Sequence, residues 1–269
     1  VKSVLVEIAG GDAQDGVLQA ALDLVRGTGA HLTCLQITPD AAGVLARADD
    51  ATRIMLAALL ASIDTRSRAE QARLELVLAG EDIDWSWERR HGDRVEILAN
   101  ASWLVDVIVV GKGELAGPAR QSGFCAALAL SARTPVIVVP TAIKGFAVAG
   151  AAMIAWDGSP EAARALRAAV PLLKLAETVE ILTVGEAAPD APATAACTYL
   201  LRHGIQAEAV LRPRGSDTTA RTILRGAAER GAAYLIMGAY GHARLHDYAV
   251  GSVTRSLLVE ASMPIFLAH

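Results

Sequence analysis

Cysteine is scarce in this chain. Cys34, Cys125 and Cys197 are the three present among 269 residues, and they lie far apart. That spacing excludes a disulfide framework and any CxxC metal or redox pair, and it suits a reducing, cytoplasmic setting. Aromatic residues make up only 4% of the chain, so the core must be built from Ala, Val, Leu and Ile. An excess of positive charge is missing too. The formal net charge is −4, which argues against a nucleic-acid or anionic-membrane binder, since either would show a basic stripe. No apolar run is long enough for a bilayer. Pro135, Pro140 and Lys144 divide the most apolar stretch, Thr134 to Trp156, into short pieces. Glu7 interrupts the first apolar run early, unlike a secretory signal. There is no GxxxxGK[ST] P-loop and no GxSxG elbow, so P-loop ATPase and α/β-hydrolase chemistry have no support.

What the chain has is apolar bulk and repetition. Hydrophobic residues are 53% and charged residues 20%, ample to offset chain entropy. Lys2-Ser3-Val4-Leu5-Val6 begins a pattern that starts again at Ala152-Met153-Ile154-Ala155-Trp156. The run Val105 to Gly111 is matched by Ala233 to Gly238, and Thr134 to Pro140 by Met263 to Ala268. The chain therefore reads as a duplication, with one unit over residues 1–140, a connection over 141–150 and a second unit over 151–269. The connection is too short and too apolar for a loose linker, so the halves are expected to pack together. Residues 1–140 hold 13 Lys+Arg against 18 Asp+Glu, and residues 141–269 hold 12 against 11. On charge alone the second half is the better host for an anionic ligand.

Strand and helix patterns alternate in both halves. In the second, strands are expected at 152–156, 179–184, 206–211, 234–238 and 264–268, with helices at 160–176, 192–203, 218–230 and 252–261. Ser159 is the N-cap and Pro160 the first residue of the first of these helices. Several strands are unbroken apolar runs, as strands covered on both faces are. Alternation of this kind implies parallel sheets with right-handed crossovers. In the first half a long helix is expected over about 52–78. Ile54, Met55, Leu59, Leu60 and Ile63 fall on one side of it, which reads as a face lying on the sheet, or else as an inter-subunit or inter-domain contact.

The most informative segment follows the strand at 234–238. Met237-Gly238-Ala239-Tyr240-Gly241-His242 leaves the carboxyl end of that strand, where open α/β sheets bind ligands. Gly238 and Gly241 would allow close backbone approach and positive φ. Gly251, Ser252 and Val253 open the next helix, where free N–H groups and the helix dipole favour an anion. His242 and Arg244 add positive charge. Together these are the parts of a phosphate cradle. A glycine-rich turn with Ser252 capping its helix would use the same residues without any ligand.

The spacing Gly238-x-x-Gly241, nine residues, then Gly251-Ser252 resembles the G-2x-G-9x-G-S/T pattern of the ATP-binding universal stress proteins (UspA-type). The Asp157-Gly158-Ser159 turn, the Ala-rich helix after it and the proline before the last strand are similar to that family as well. The resemblance covers the whole chain as two tandem copies. It implies an adenine nucleotide alpha hydrolase-like fold: two doubly wound five-stranded parallel sheets of strand order 3-2-1-4-5. It also implies an intramolecular pseudo-dimer in which 136–139 pairs with 265–267. A further homodimer and a protein partner are left open. In the second half the resemblance implies an ATP site, with or without Mg²⁺, and a role in stress response or signalling. Asp157 would hold the nucleoside, Ala155 would lie beside it, and Val184 would meet adenine through its main chain. Met237, Gly238, Gly241 and His242 would line ribose and phosphates, and Gly251, Ser252 and Val253 would take the phosphates. Ala239, Tyr240 and His242 depart from the family's frequent Ser/Thr, His/Arg and Arg, which removes charge. No catalytic base is identified. The alternatives are a slow ATPase or self-phosphorylating protein, with Ser252 or Thr254 as acceptor, and a nucleotide-free dimerising scaffold.

The first half departs from the pattern. Gly111 matches Gly238, but Glu114 stands in place of Gly241, and Ser122-Gly123 reverses Gly251-Ser252. Ile8 aligns with Asp157. Glu114 would repel phosphates, so this half is expected not to bind ATP in the same way. Gly111-Lys112-Gly113-Glu114-Leu115-Ala116 fits GxGxxA formally, but it follows a late strand and is broken by Gly117-Pro118. His242 and His246 are four apart with no third ligand at a recognisable spacing, so a metal site is not expected.

Overall fold

The computed structural model describes residues 1–11, 13–46, 48–112, 118–185, 191–239 and 252–269, with the side chains of 51, 118–122 and 252 set apart. The first half runs β1 (Ser3–Ile8), α1 (Gln14–Thr28), β2 (His31–Thr38), α2 (Ala41–Ala46), α3 (Asp50–Ala79), β3 (Trp85–His91), α4 (Arg94–Ala101), β4 (Val107–Gly111), α5 (Pro118–Ser131) and β5 (Val136–Val139). The second runs β6 (Ala152–Ala155), α6 (Pro160–Leu173), β7 (Val179–Val184), α7 (Ala193–Arg202), β8 (Glu208–Arg212), α8 (Thr219–Glu229), β9 (Tyr234–Gly238), α9 (Ser252–Glu260) and β10 (Ile265–Ala268).

The strands form one ten-stranded sheet of order β3-β2-β1-β4-β5-β10-β9-β6-β7-β8. Each half thus has the order 3-2-1-4-5, with parallel neighbours throughout. The halves join at β5 and β10, the single antiparallel pair of that sheet among the described residues, with Val138 opposite Ile265, Ile137 opposite Phe266 and Val136 opposite Leu267. The seam strands are wholly apolar and buried. Pairing them removes two open sheet edges that would otherwise template aggregation.

Helices cover both faces, because parallel strands need crossovers. Leu18, Leu22, Leu74, Leu166 and Leu200 pack on one face, under α1, α3, α6 and α7. Leu98, Leu128, Ile223 and Leu257 pack on the other, under α4, α5, α8 and α9. The connection 141–150 is a packed strap. Phe146 and Val148 are buried, the Phe146 N–H donates to Asp23 of α1 at 2.8 Å, and the Phe146 ring meets Tyr234 edge-on.

The long helix corrects one expectation. Helix α3 spans Asp50–Ala79, capped by Asp49, which accepts from the Thr52 N–H. Its C-terminal Leu74 and Leu78 are buried against the sheet, but Ile54, Met55 and Leu59 are 78%, 66% and 50% exposed. The apolar side of the first turns therefore does not lie on the sheet. Helix α7, the counterpart, has 10 residues against 30 in α3, so the extra length runs past the strands it would have covered.

Candidate functional site

The strand order reverses between β6 and β9, and a cavity of about 330 Å³ sits there at the carboxyl ends of β6, β7 and β9. Open α/β sheets place ligands at such switch points because diverging crossovers leave a crevice. Ala155 and Leu182, Val184 and Met237 supply an apolar floor from the strands. Thr219 and Ile223 of α8 form one wall, and Val253 and Thr254 of α9 another. Asp157, Ser159 and Ala162 close the side nearest α6, and Gly238 completes the rim. The lining is mainly apolar with few polar groups, which suits a flat organic body oriented by a small number of hydrogen bonds.

Asp157 stands just beyond β6 on the exposed lip of the cleft. Its Oδ1 accepts the Ser159 N–H at 2.9 Å. Gly158 turns the chain at φ +76°, and the Ser159 hydroxyl accepts the Ala162 N–H at 3.1 Å, capping α6 with Pro160 at its start. Trp156 is 8% exposed and its indole N–H donates to the Ala191 carbonyl at 2.9 Å. That bond anchors the ring in the core on the α6–α7 face, and the residue also borders the cleft.

Of the ten residues expected at the site, Ala155, Asp157, Val184, Met237, Gly238 and Val253 surround this one cavity. Gly241, His242 and Gly251 lie outside the described residues, as do Tyr240, Arg244 and His246. Ser252 opens α9, with its side chain outside the description. Sequence reasoning passed over Leu182, Thr219 and Ile223. Ser159 was read only as a cap, and Thr254, 4% exposed, only as a phosphate acceptor. Thr219 carried a signal that went unused: as the first residue of α8 it had to lie near the carboxyl ends of the strands.

Two expectations change. Gly238 does not adopt positive φ. A Cβ there would lie 2.5 Å from the Ala162 nitrogen and the Glu161 carbonyl carbon, so glycine is needed for α6 to pack on β9. The second change is one of register. Val4 pairs with Val107, and Ala152 with Tyr234. Since Gly111 and Gly238 end their strands alike, Val4 is the counterpart of Ala152. Ala9, not Ile8, then occupies the position of Asp157, and Gly10, also at φ +76°, matches Gly158. The first half lacks the carboxylate either way.

The first half has an open cleft of its own, about 620 Å³, between Ile8–Gly11, Gln36 and the Ile63–Arg73 face of α3. It lies on the α1–α3 face of the sheet, opposite in kind to the α8–α9 face of the first cavity, so it is not that cavity's counterpart. Cys34 and Cys125 are fully buried and Cys197 half-buried. Burial pushes the Cys34 and Cys125 thiols up to about 12, which keeps them protonated and inert. Among the described residues no cluster of His, Cys, Asp and Glu could hold a metal ion, and no helix is long and apolar enough to cross a membrane.

A doubly wound α/β sheet with a crevice at its switch point defines the class of protein. The particular family follows from comparison: the family model of the universal stress protein family matches residues 1–140, more than half the chain, and the chain belongs to that family. The matched part is the first half, whereas the glycine spacing lies in the second. A universal stress protein from Archaeoglobus fulgidus DSM 4304 aligns over 99% of this chain and 96% of its own, with TM-score 0.73 and 18% identity. A functionally unknown protein, PA1789 from Pseudomonas aeruginosa PAO1, aligns over 100% and 92%, with TM-score 0.61 and 17% identity. At these identities the likeness is one of fold. No curated protein matches the chain.

Proposed function

We propose that the cleft between β6, β9, α8 and α9 binds an adenine nucleotide, ATP by preference, and that the protein acts by nucleotide-dependent signalling in a stress response. The observation that carries this reading is the cavity at the switch point, apolar in its floor, with Asp157 on its lip and the start of α9 at its far wall. At about 330 Å³ it has room for a base and sugar, near the lower end of ligand sites, which span about 300–1,000 Å³.

Each described residue has a task that follows from its chemistry. Ala155, Leu182, Val184 and Ile223 exclude water from a flat aromatic base. Asp157 accepts hydrogen bonds from sugar hydroxyls or an exocyclic amine. The backbone at the start of α9 directs N–H groups and a helix dipole at phosphate oxygens. ATP supplies an anionic ligand, and its occupancy of the cleft would be the signal. The nucleotide reading places the 151–269 unit as the responsive one and the 1–140 unit as its structural partner.

Titration calorimetry on the purified chain with ATP and Mg²⁺ tests this. One site per chain is expected, weakened about tenfold or more in Asp157→Ala, which loses a charged hydrogen-bond acceptor, and abolished in Gly251→Asp, which sets a carboxylate against the phosphates. No heat up to millimolar ATP would overturn the nucleotide reading and leave the scaffold. Release of phosphate from ATP in the same samples would convert the binding protein into the slow ATPase.

A further inference from the structure

The two halves can be matched residue by residue from backbone features alone. The strand registers make Val4 the counterpart of Ala152 and Val107 the counterpart of Tyr234. The first turns of α4 and α8 match through Ile97 N–H to Asp93 O and Thr222 N–H to Thr218 O, both at 3.0 Å. The ends of α5 and α9 match through Ala132 to Leu128 and Ala261 to Leu257. Ile108 to Pro135 and Leu235 to Pro264 confirm the same offset in the last strands. On this frame Glu7 stands where Ala155 stands, Arg94 where Thr219 stands, Phe124 where Val253 stands and Cys125 where Thr254 stands.

All four of those second-half residues line the cleft. Their first-half counterparts instead meet one another. Glu7 is 3% exposed, and Arg94 grips it with two donors, Nη2 to Oε2 at 2.7 Å and Nε to Oε1. The Arg94 guanidinium carbon lies 3.6 Å from the centre of the Phe124 ring, and Cys125 is buried beside them at 1% exposure. A buried carboxylate is tolerated only when paired. Arginine suits the task because its flat, forked head both pairs bidentately and stacks on an aromatic face. A stacked guanidinium is also a flat, nitrogen-rich group, similar in shape to part of a heterocyclic base.

We propose that Glu7, Arg94 and Phe124 form an internal plug that fills in the first half the space the ligand takes in the second. Ala155, Thr219 and Val253 are then the specificity-determining positions whose small side chains keep the second cleft open. The first half is permanently self-occupied, so each chain responds through one site and does so without cooperativity between halves. This inference rests on the nucleotide reading for what enters the open cleft, but the plug itself is a statement about packing.

Reciprocal transplants in the full-length chain test it. Ala155→Glu/Thr219→Arg/Val253→Phe installs the plug in the second half, and ATP binding is expected to weaken by about 100-fold or more through steric exclusion. Thr219→Arg alone, a half-exposed substitution, serves if the triple variant does not fold. The reverse variant, Glu7→Ala/Arg94→Thr/Phe124→Val, is expected to show in its crystal structure a cleft between β1, α4 and α5, with ATP binding in the second half unchanged. Wild-type ATP binding that survives both installed-plug variants at full strength would overturn the plug and leave the nucleotide reading intact. A wild type that binds no ATP would sink that reading, while the crystal structure of the reverse variant still decides the plug. Collapse of its side chains into the vacated space, with no cleft, would count against it.

Discussion

Gly238 shows how one residue can carry two meanings. In sequence it is the first glycine of a ligand-loop spacing. In the folded chain its missing Cβ leaves room for the backbone of α6 at Glu161 and Ala162. Gly238→Ala is therefore expected to cost about 1–3 kcal/mol, as overpacking a close contact does, read as a lowered urea midpoint with no ligand present. A variant as stable as the wild type would show that α6 yields easily and that the glycine serves the ligand alone. Asp157 was legible from its place after an apolar strand and before Gly-Ser-Pro. Its first-half counterpart was assigned one residue early, since a repeat without register cannot tell Ile8 from Ala9. Only the hydrogen-bonded ladders settle that.

Single elements were legible wherever one signal dominated. Strands β4, β5, β9 and β10 are unbroken apolar runs and are buried throughout or nearly so. Helix α6 announces itself with Ser159 and Pro160. Helix α3 misled because apolar spacing records which side residues share, not what that side faces. Ile54, Met55 and Leu59 do share a side, and it points to solvent. The plug was not legible at all, because Glu7, Arg94 and Phe124 come from β1, α4 and α5, and nothing local links them. At this scale the pair makes a sharp prediction. Arg94→Ala strands a carboxylate that is 2% exposed and is expected to cost about 3–5 kcal/mol. Glu7→Ala/Arg94→Ala removes both charges and is expected to be the more stable of the two variants in urea unfolding. A double variant no better than Arg94→Ala would mean that the unpaired Glu7 carboxylate carries no burial penalty.

For the whole molecule the seam matters most. Strands β5 and β10 are each buried within a continuous sheet, and the 141–150 strap is clamped to α1 by Asp23 and seated by Phe146 and Val148. Neither half can unfold without exposing the other's last strand. One cooperative urea transition, the same by fluorescence and circular dichroism, is expected. Two separated transitions would mean that the seam is weaker than its burial implies. The alternation of strands and helices made the two five-stranded units readable in advance. The seam was readable only through the family resemblance, since four apolar residues carry no instruction about their partner.

The direction of that seam has a further result. Because β5 and β10 run antiparallel, the carboxyl ends of the first half's strands emerge along one rim of the sheet and those of the second half along the opposite rim. Asp157 marks one rim, and the Glu7–Arg94 pair marks the other. Two identical chains joined by a twofold axis would have to carry the same chemistry on both rims. A fused chain is released from that constraint, so the molecule has a front and a back, and whatever docks along one rim meets chemistry that the other does not share.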